Sequence, residues 1–290
     1  MMLEKIKTIS NLVVLPHSVF ALPFAMASLL TATHGKPSFH VLFWVVICMV
    51  LARTTAMAYN RLVDADVDAQ NPRTKNRDIP AGRISLLQVK ILTVICGFGF
   101  VMACYPLNSL AFKLSPLALL ILFFYSHTKR FTWTSHLFLG LALGVAPVGA
   151  WVAATGELAL APFLLTGAVI CFLAGFDILY ATQDEAFDKK AGLHSWVVRW
   201  GIGNSLYASR FFHVGMLGFL TVFGVQVGFP AGYYVGMGFI VAALLYQHLK
   251  AYTYENKQGK VKFALSPQMM GLNGWISVIY FLVVGATLWL

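Results

Sequence analysis

The chain has 290 residues, of which 59% are hydrophobic and 11% are charged, and its formal net charge is +10. A soluble domain usually carries about 25% charged residues, so this composition excludes an ordinary soluble globular domain. Apolar runs of about 18 residues or more recur from end to end, which predicts an all-α, polytopic membrane protein. We expect one domain over residues 1–290, without a separate soluble part.

Nine membrane-spanning helices are predicted from the apolar runs. In chain order they cover residues 11–33, 40–63, 86–105, 109–127, 135–153, 160–183, 205–226, 231–250 and 270–290.

The charges fall unevenly on the two sides of the predicted membrane. When the connecting loops alternate between the sides, nearly all lysine and arginine residues lie on the side of the N-terminus. This positive-inside pattern places that side in the cytoplasm and the C-terminus outside. We expect an integral protein of a bacterial plasma (inner) membrane, with the lipid bilayer as its environment. The same pattern accounts for the positive charge without nucleic acid, and no obligate protein partner is evident.

A first acidic cluster ends the second predicted span and consists of Asn60, Asp64 and Asp68. Their spacing of four places them on one helical face. Carboxylates beside bilayer hydrocarbon are costly, so they usually face a cavity or bind a cation. Oxygen ligands suit hard divalent cations, and we therefore predict a Mg2+ site.

Cationic residues accompany this cluster. Arg73 and Arg77 follow it in the next loop, where they could bind phosphate oxygens beside a metal ion, although a basic cytoplasmic loop also satisfies the topology rule. Arg53 shares the helical face of Asn60 but lies about two turns, or roughly 10 Å, deeper. A buried arginine needs an anionic partner. That partner is either one of the aspartates, in a structural salt bridge, or the carboxylate of an acceptor substrate.

The fourth and sixth predicted spans also end in polar residues. Tyr125 and Lys129 lie one turn apart and, as an isolated pair, are typical of an interfacial anchor. The second acidic cluster, Asp177, Asp184 and Asp188, steps by seven and then four, which again gives one helical face. We expect a central, cytoplasm-facing cavity lined by the second, fourth and sixth spans. The similar ends of the second and sixth spans hint at an internal duplication.

These motifs resemble those of the UbiA superfamily of intramembrane prenyltransferases, over essentially the whole chain. NRLVDADVD keeps the asparagine and the two later aspartates of the family pattern NDxxDxxxD, with Arg61 where many members have Asp. The loop NPRTKNRDIPAG is very close to the family's loop after the second helix. The YxxxK motif is present at Tyr125 and Lys129, and the second acidic motif at Asp184 and Asp188, with Asp177 upstream.

The resemblance implies transfer of a prenyl group from an allylic polyprenyl diphosphate to an aromatic acceptor. The cofactor it implies is Mg2+, with ligands Asn60, Asp64, Asp68, Asp177, Asp184 and Asp188. The catalytic residues would be Asp64, Asp68, Asp184, Asp188 and Lys129. The diphosphate would contact Arg73, Arg77, Lys129 and Tyr125. Arg53 would orient a carboxylate on the acceptor.

The first-choice acceptor is 4-hydroxybenzoate, in the biosynthesis of a respiratory quinone. The same motifs also resemble the branch that prenylates 1,4-dihydroxy-6-naphthoate in the futalosine route to menaquinone, and Arg53 does not separate these two aromatic acids because both carry a carboxylate. An ion-coupled transporter is a hypothesis of another class. It predicts binding sites near the bilayer centre and discontinuous helices.

Overall fold

A computed structural model describes residues 20–258 and 267–289, with side chains outside 251–270. Eleven helices and no β-strand occur among the described residues. The helices are α1 (Leu22–Ala32), α2 (Phe39–Val63), α3 (Ala65–Gln70), α4 (Leu86–Cys104), α5 (Ser109–Thr128), α6 (Ser135–Thr155), α7 (Leu160–Ala181), α8 (Glu185–Lys190), α9 (Trp196–Gln226), α10 (Ala231–Gln258) and α11 (Pro267–Trp289). The all-α prediction is confirmed for this part of the chain.

Each predicted span coincides with a helix over at least part of its length. Seven helices in the described ranges are long and apolar enough to cross a membrane: α2, α4, α5, α6, α7, α9 and, from Gly271 onward, α11. Helix α1 is apolar but shorter, and residues 11–19 of the first predicted span lie outside the described residues. The chain is thus a polytopic integral membrane protein. The count of nine spans, the central cavity and its cytoplasmic orientation stay predictions.

The seventh span begins earlier than predicted. Helix α9 starts at Trp196 rather than near residue 205, but Gly201 interrupts its helical backbone with φ 75° and ψ 172°. Glycine adopts this conformation without steric cost because it has no Cβ. A short aromatic segment that includes Trp196 and Trp200 therefore precedes the long apolar part of the helix.

The described residues form two compact units. The first unit spans residues 38–127 and is built on the packing of α2 against α4. Its buried contact centres on Ala58 and Val89, and Ile79 and Ile84 pack against them from the connecting loop. These two isoleucines give the connecting loop an apolar anchor on the helix pair.

The second unit comprises residues 20–37 and the described residues after 127. Helix α7 packs against both α6 and α9, while α1 packs against α6 and α11. Small residues allow close approach, as expected for helices in a bilayer: a Cβ on Gly140 would lie 2.7 Å from the Ile170 backbone. The core contains Phe24, whose ring centroid lies 5.0 Å from Tyr280 and 5.9 Å from Phe172. The single domain over residues 1–290 stays a prediction.

Candidate active site

The two acidic clusters have similar but not identical backbone structure. Helix α2 ends at Val63 and Asp64 follows at once, whereas helix α7 ends at Ala181 and a turn over residues 182–184 follows; a six-residue helix comes next in both cases. Asp64 has φ −93° and ψ 2°, and Asp184 has φ −99° and ψ 1°. Such values are sparsely populated and recur in active sites. A break in helical geometry thus falls at each of these aspartates, and the shared helical faces of the two clusters stay predictions.

The four-residue spacing survives these breaks through the main chain. The amide of Asp68 donates to the carbonyl of Asp64 at 2.7 Å, and the amide of Asp188 donates to that of Asp184 at 2.8 Å. Each pair of aspartates thus keeps a helix-like register. The predicted internal duplication stays a prediction.

In the first unit, Asp68 is buried and engaged by arginine. The Arg77 Nη1 atom lies 2.7 Å from both carboxylate oxygens of Asp68. Arg61 adds a second guanidinium, with its Nη1 atom 3.9 Å from Asp68 Oδ2. The loop brings Arg77 into place partly because Thr74, also buried, donates to the Asp68 carbonyl at 3.1 Å.

The chemistry of this cluster fits a divalent cation. A positively charged nitrogen lies against both Asp68 oxygens, so this buried carboxylate is placed to bind a cation. Asp64 is also buried, and the predicted ligands are all oxygen donors, as Mg2+ prefers. In the part of the chain that the structure describes, no three acidic, histidine or cysteine side chains already lie close enough to hold a metal ion. The metal ligands therefore stay predictions.

Arg53 lies in the middle of α2 with a buried Nε atom that has no hydrogen-bond partner among the described residues. A desolvated guanidinium group is suited to an anion. The two predicted roles of Arg53, a structural salt bridge to an aspartate and a contact with the acceptor's carboxylate, both stay predictions.

The loop after α3 is ordered by its own polar contacts. The Arg73 amide donates to Asn71 Oδ1 at 2.9 Å, and Arg83 Nε donates to Asp78 Oδ1 at 2.6 Å. Asn71 and Asp78 are buried. Arg73 and Arg77 are thus presented from a folded loop, whereas the role of Arg73 towards a diphosphate stays a prediction.

In the second unit, Asp177 is paired with a residue that the sequence analysis did not single out. His136 Nδ1 lies 2.7 Å from Asp177 Oδ2, and the Trp196 amide donates to His136 Nε2 at 3.3 Å. His136 is buried near the start of α6. It lies at the N-terminal end of α6, and the only signal in the sequence is that this end falls on the same predicted membrane side as the polar motifs.

The segment that begins α9 also meets the residue after α5. The His194 amide donates to the Lys129 carbonyl at 2.8 Å, and the Trp133 ring lies 5.1 Å from the ring of Trp196. Lys129 and Asp177 are thereby tied to one short stretch, residues 194–196. Tyr125 and Lys129 fall in different units, and their joint role stays a prediction.

Apolar spanning helices with polar, acidic ends define a class: integral membrane proteins that handle a charged ligand beside the bilayer. The model of the UbiA prenyltransferase family matches residues 21–275. The chain therefore belongs to the UbiA prenyltransferase family, and its predicted family resemblance is confirmed.

Relatives and solved structures agree with this assignment. The chain is 31% identical to a 4-hydroxybenzoate octaprenyltransferase of Thiobacillus denitrificans over 219 residues, 76% of this chain and 74% of that protein. A protein of the same name from Vibrio campbellii is 30% identical over 77% of this chain and 78% of its own length. The apo structure of a UbiA homolog from Aeropyrum pernix K1 matches with a TM-score of 0.81 and 29% identity, over 94% of this chain and 96% of that one.

A more distant solved structure is similar in fold. A UbiA homolog from Archaeoglobus fulgidus, bound to DMAPP and Mg2+, matches with a TM-score of 0.77 at 20% identity, over 97% of this chain and 99% of that chain.

Proposed function

We propose that this protein transfers a polyprenyl group from an allylic polyprenyl diphosphate to 4-hydroxybenzoate, in the biosynthesis of a respiratory quinone. The observation that carries the proposal is the family motif itself, in which buried Asp68 lies against the Arg77 guanidinium group. The relatives named 4-hydroxybenzoate octaprenyltransferase support the choice of acceptor. Family membership also favours a transferase over an ion-coupled transporter.

The diphosphate would be recognised by the cationic residues of the loop after α3. We propose that Arg77 turns from Asp68 to the diphosphate oxygens when the donor binds, and that Arg73, Lys129 and Tyr125 add further contacts. This exchange would conserve charge pairing, because Asp68, once released by the guanidinium group, would be one of the ligands of a bound cation. Asn60, Asp64, Asp68, Asp177, Asp184 and Asp188 would hold Mg2+, which when bound supplies positive charge against the diphosphate leaving group.

The chemical step breaks the bond between C1 of the prenyl group and the diphosphate oxygen. The diphosphate leaves with the electron pair, and the ring carbon ortho to the acceptor's hydroxyl group forms the new bond to C1. The ring then loses its proton at that carbon. Arg53 would hold the acceptor's carboxylate, since its Nε atom is buried without a hydrogen-bond partner in the described structure. Exclusion of water protects the allylic cation, for which a site at the membrane is suited.

We place the protein in the bacterial inner membrane with this site facing the cytoplasm, as the distribution of lysine and arginine predicts. A cytoplasmic site is open to the water-soluble aromatic acid and to Mg2+ from the same side of the membrane. The prenyl chain would remain in the bilayer.

The test is an acceptor panel. The purified protein in lipid nanodiscs is incubated with Mg2+, a polyprenyl diphosphate and one acceptor: 4-hydroxybenzoate, 1,4-dihydroxy-6-naphthoate or, as a control without a carboxylate, phenol. Mass spectrometry identifies the products. We expect prenylated 4-hydroxybenzoate and little product from phenol. Turnover of the naphthoate alone would refute the proposed acceptor, and no product from any acceptor would refute prenyl transfer to aromatic acids.

A further inference from the structure

His136 is a buried residue with two defined hydrogen bonds and no role in the proposed reaction. Its side chain is 4% exposed, whereas that of its partner Asp177 is 29% exposed. A histidine enclosed in this way is held on both ring nitrogens, one by Asp177 and the other by the Trp196 amide. Each ring nitrogen of His136 therefore has one hydrogen-bond partner.

The direction of these hydrogen bonds follows from their partners. The Trp196 amide can only donate, so His136 Nε2 accepts and carries no proton. The remaining proton is on Nδ1, which donates to Asp177 Oδ2 at 2.7 Å. The main chain at the start of α9 thus fixes the histidine tautomer, and the histidine in turn fixes one oxygen of the aspartate.

This arrangement leaves Asp177 as an oriented carboxylate. The His136 contact fixes the rotation of the carboxylate at Oδ2 and so sets the direction in which its remaining lone pairs face a ligand. Carboxylates that bind metals are commonly oriented by hydrogen bonds from a second residue, and loss of that residue typically costs about 10- to 100-fold in metal affinity or activity.

We propose that His136 is the positioning residue for Asp177, holding its carboxylate in the orientation needed to bind the metal ion. The inference rests on the proposed function, because it takes Asp177 as a metal ligand. His136 itself touches neither substrate nor metal ion. Its action runs from the Trp196 amide through the imidazole ring to the carboxylate of Asp177.

A purely structural role is the competing explanation, since His136 joins α6, α7 and the start of α9. Two substitutions separate its contacts. In His136→Asn the amide nitrogen lies close to the former Nδ1 position and can still donate to Asp177. In His136→Gln the longer side chain places its polar atoms near the former Nε2 position, where they meet Trp196 instead.

The experiment measures Mn2+ binding by electron paramagnetic resonance, with the full-length protein in nanodiscs and inorganic pyrophosphate present. We expect His136→Ala and His136→Gln to weaken Mn2+ binding about 10- to 100-fold, and His136→Asn to restore most of it. In an Asp177→Asn background, His136→Ala should have little further effect. Thr166→Val is the matched control, because Thr166 also joins α6 to α7, through a 2.6 Å bond to the Gly144 carbonyl. It should leave Mn2+ affinity unchanged.

The outcomes separate the two levels of the proposal. Equal Mn2+ affinity in wild type and His136→Ala would overturn the role of His136 and leave the proposed reaction intact. The role of His136 would also be overturned if the His136→Asn, His136→Gln and His136→Ala variants lost Mn2+ affinity equally and in proportion to a lowered melting temperature. If the wild-type protein binds no Mn2+ with pyrophosphate, the proposed metal site fails and the inference on His136 fails with it.

Discussion

Replacing Arg77 with alanine should have opposite effects on metal binding and on donor binding. In the structure Arg77 Nη1 contacts both oxygens of Asp68 at 2.7 Å, so a positive charge lies directly against this carboxylate. Arg77→Ala removes this competitor, so the donor-free protein should bind Mn2+ more tightly. It also removes a cation from the diphosphate, so the KM for the polyprenyl diphosphate should rise.

The size of both effects can be worked from the contacts. A charge-assisted hydrogen bond contributes about 1.5–3 kcal/mol, which corresponds to a roughly 10- to 100-fold higher KM for the donor. Breaking a buried ion pair costs about 3–5 kcal/mol of unfolding free energy. We expect only about 1–3 kcal/mol here, because the Arg77 side chain is 29% exposed and Arg61 remains 3.9 Å from the same carboxylate.

The assay pairs initial rates at varied donor concentration with Mn2+ titration in the absence of donor, and thermal unfolding reports stability. Arg83→Ala is the control, because Arg83 lies in the same loop and pairs with Asp78 at 2.6 Å but has no proposed contact with the donor. Arg83→Ala should change neither the KM for the donor nor the affinity for Mn2+. If Arg77→Ala weakens Mn2+ binding without donor, or leaves the donor KM unchanged, the proposed exchange of Arg77 between Asp68 and diphosphate is wrong.

Three further predictions follow from the proposed reaction and topology. Arg53→Ala should raise the KM for the aromatic acid about 10- to 100-fold and change that for the donor much less; a lowered melting temperature with an unchanged acceptor KM would mean that Arg53 is structural. Activity should disappear with EDTA and return with Mg2+ or, given the oxygen ligands, with Mn2+, whereas full activity after exhaustive chelation would contradict the metal dependence. A reporter fused after Leu290 should read as extracytoplasmic, and a cytoplasmic reading would show that the number of spans is not nine.

Much of the helical architecture could be predicted because bilayer hydrocarbon imposes length and hydropathy on each span. Helices α2, α4, α5, α6 and α7 begin and end within a few residues of the predictions. The breaks at Asp64 and Asp184 could not be predicted, because a four-residue spacing is compatible with both a continuous and an interrupted helix. Gly201 likewise gave no periodic signal, since one residue with positive φ changes direction without changing the hydrophobic pattern.

The candidate site was predictable as a set of residues but not as a set of contacts. The sequence placed Asp68 and Arg77 nine positions apart, and only the folded loop brings them to 2.7 Å. The pairing of His136 with Asp177 joins residues 41 positions apart on two helices, which no local spacing encodes. A long-range contact of this kind depends on how the helices pack. Here it fixes the orientation of the Asp177 carboxylate.

We propose that the two acidic clusters serve one prenyl transfer reaction. The most direct test of this proposal is a single-turnover measurement of prenylated 4-hydroxybenzoate by the wild-type protein, Asp64→Ala and Asp184→Ala at saturating Mg2+, with thermal unfolding as a check on folding. We expect each substitution nearly to abolish the product while the protein stays folded, because loss of a ligand removes charge stabilisation worth several kcal/mol. Near-normal product formation by either folded variant would contradict the proposal.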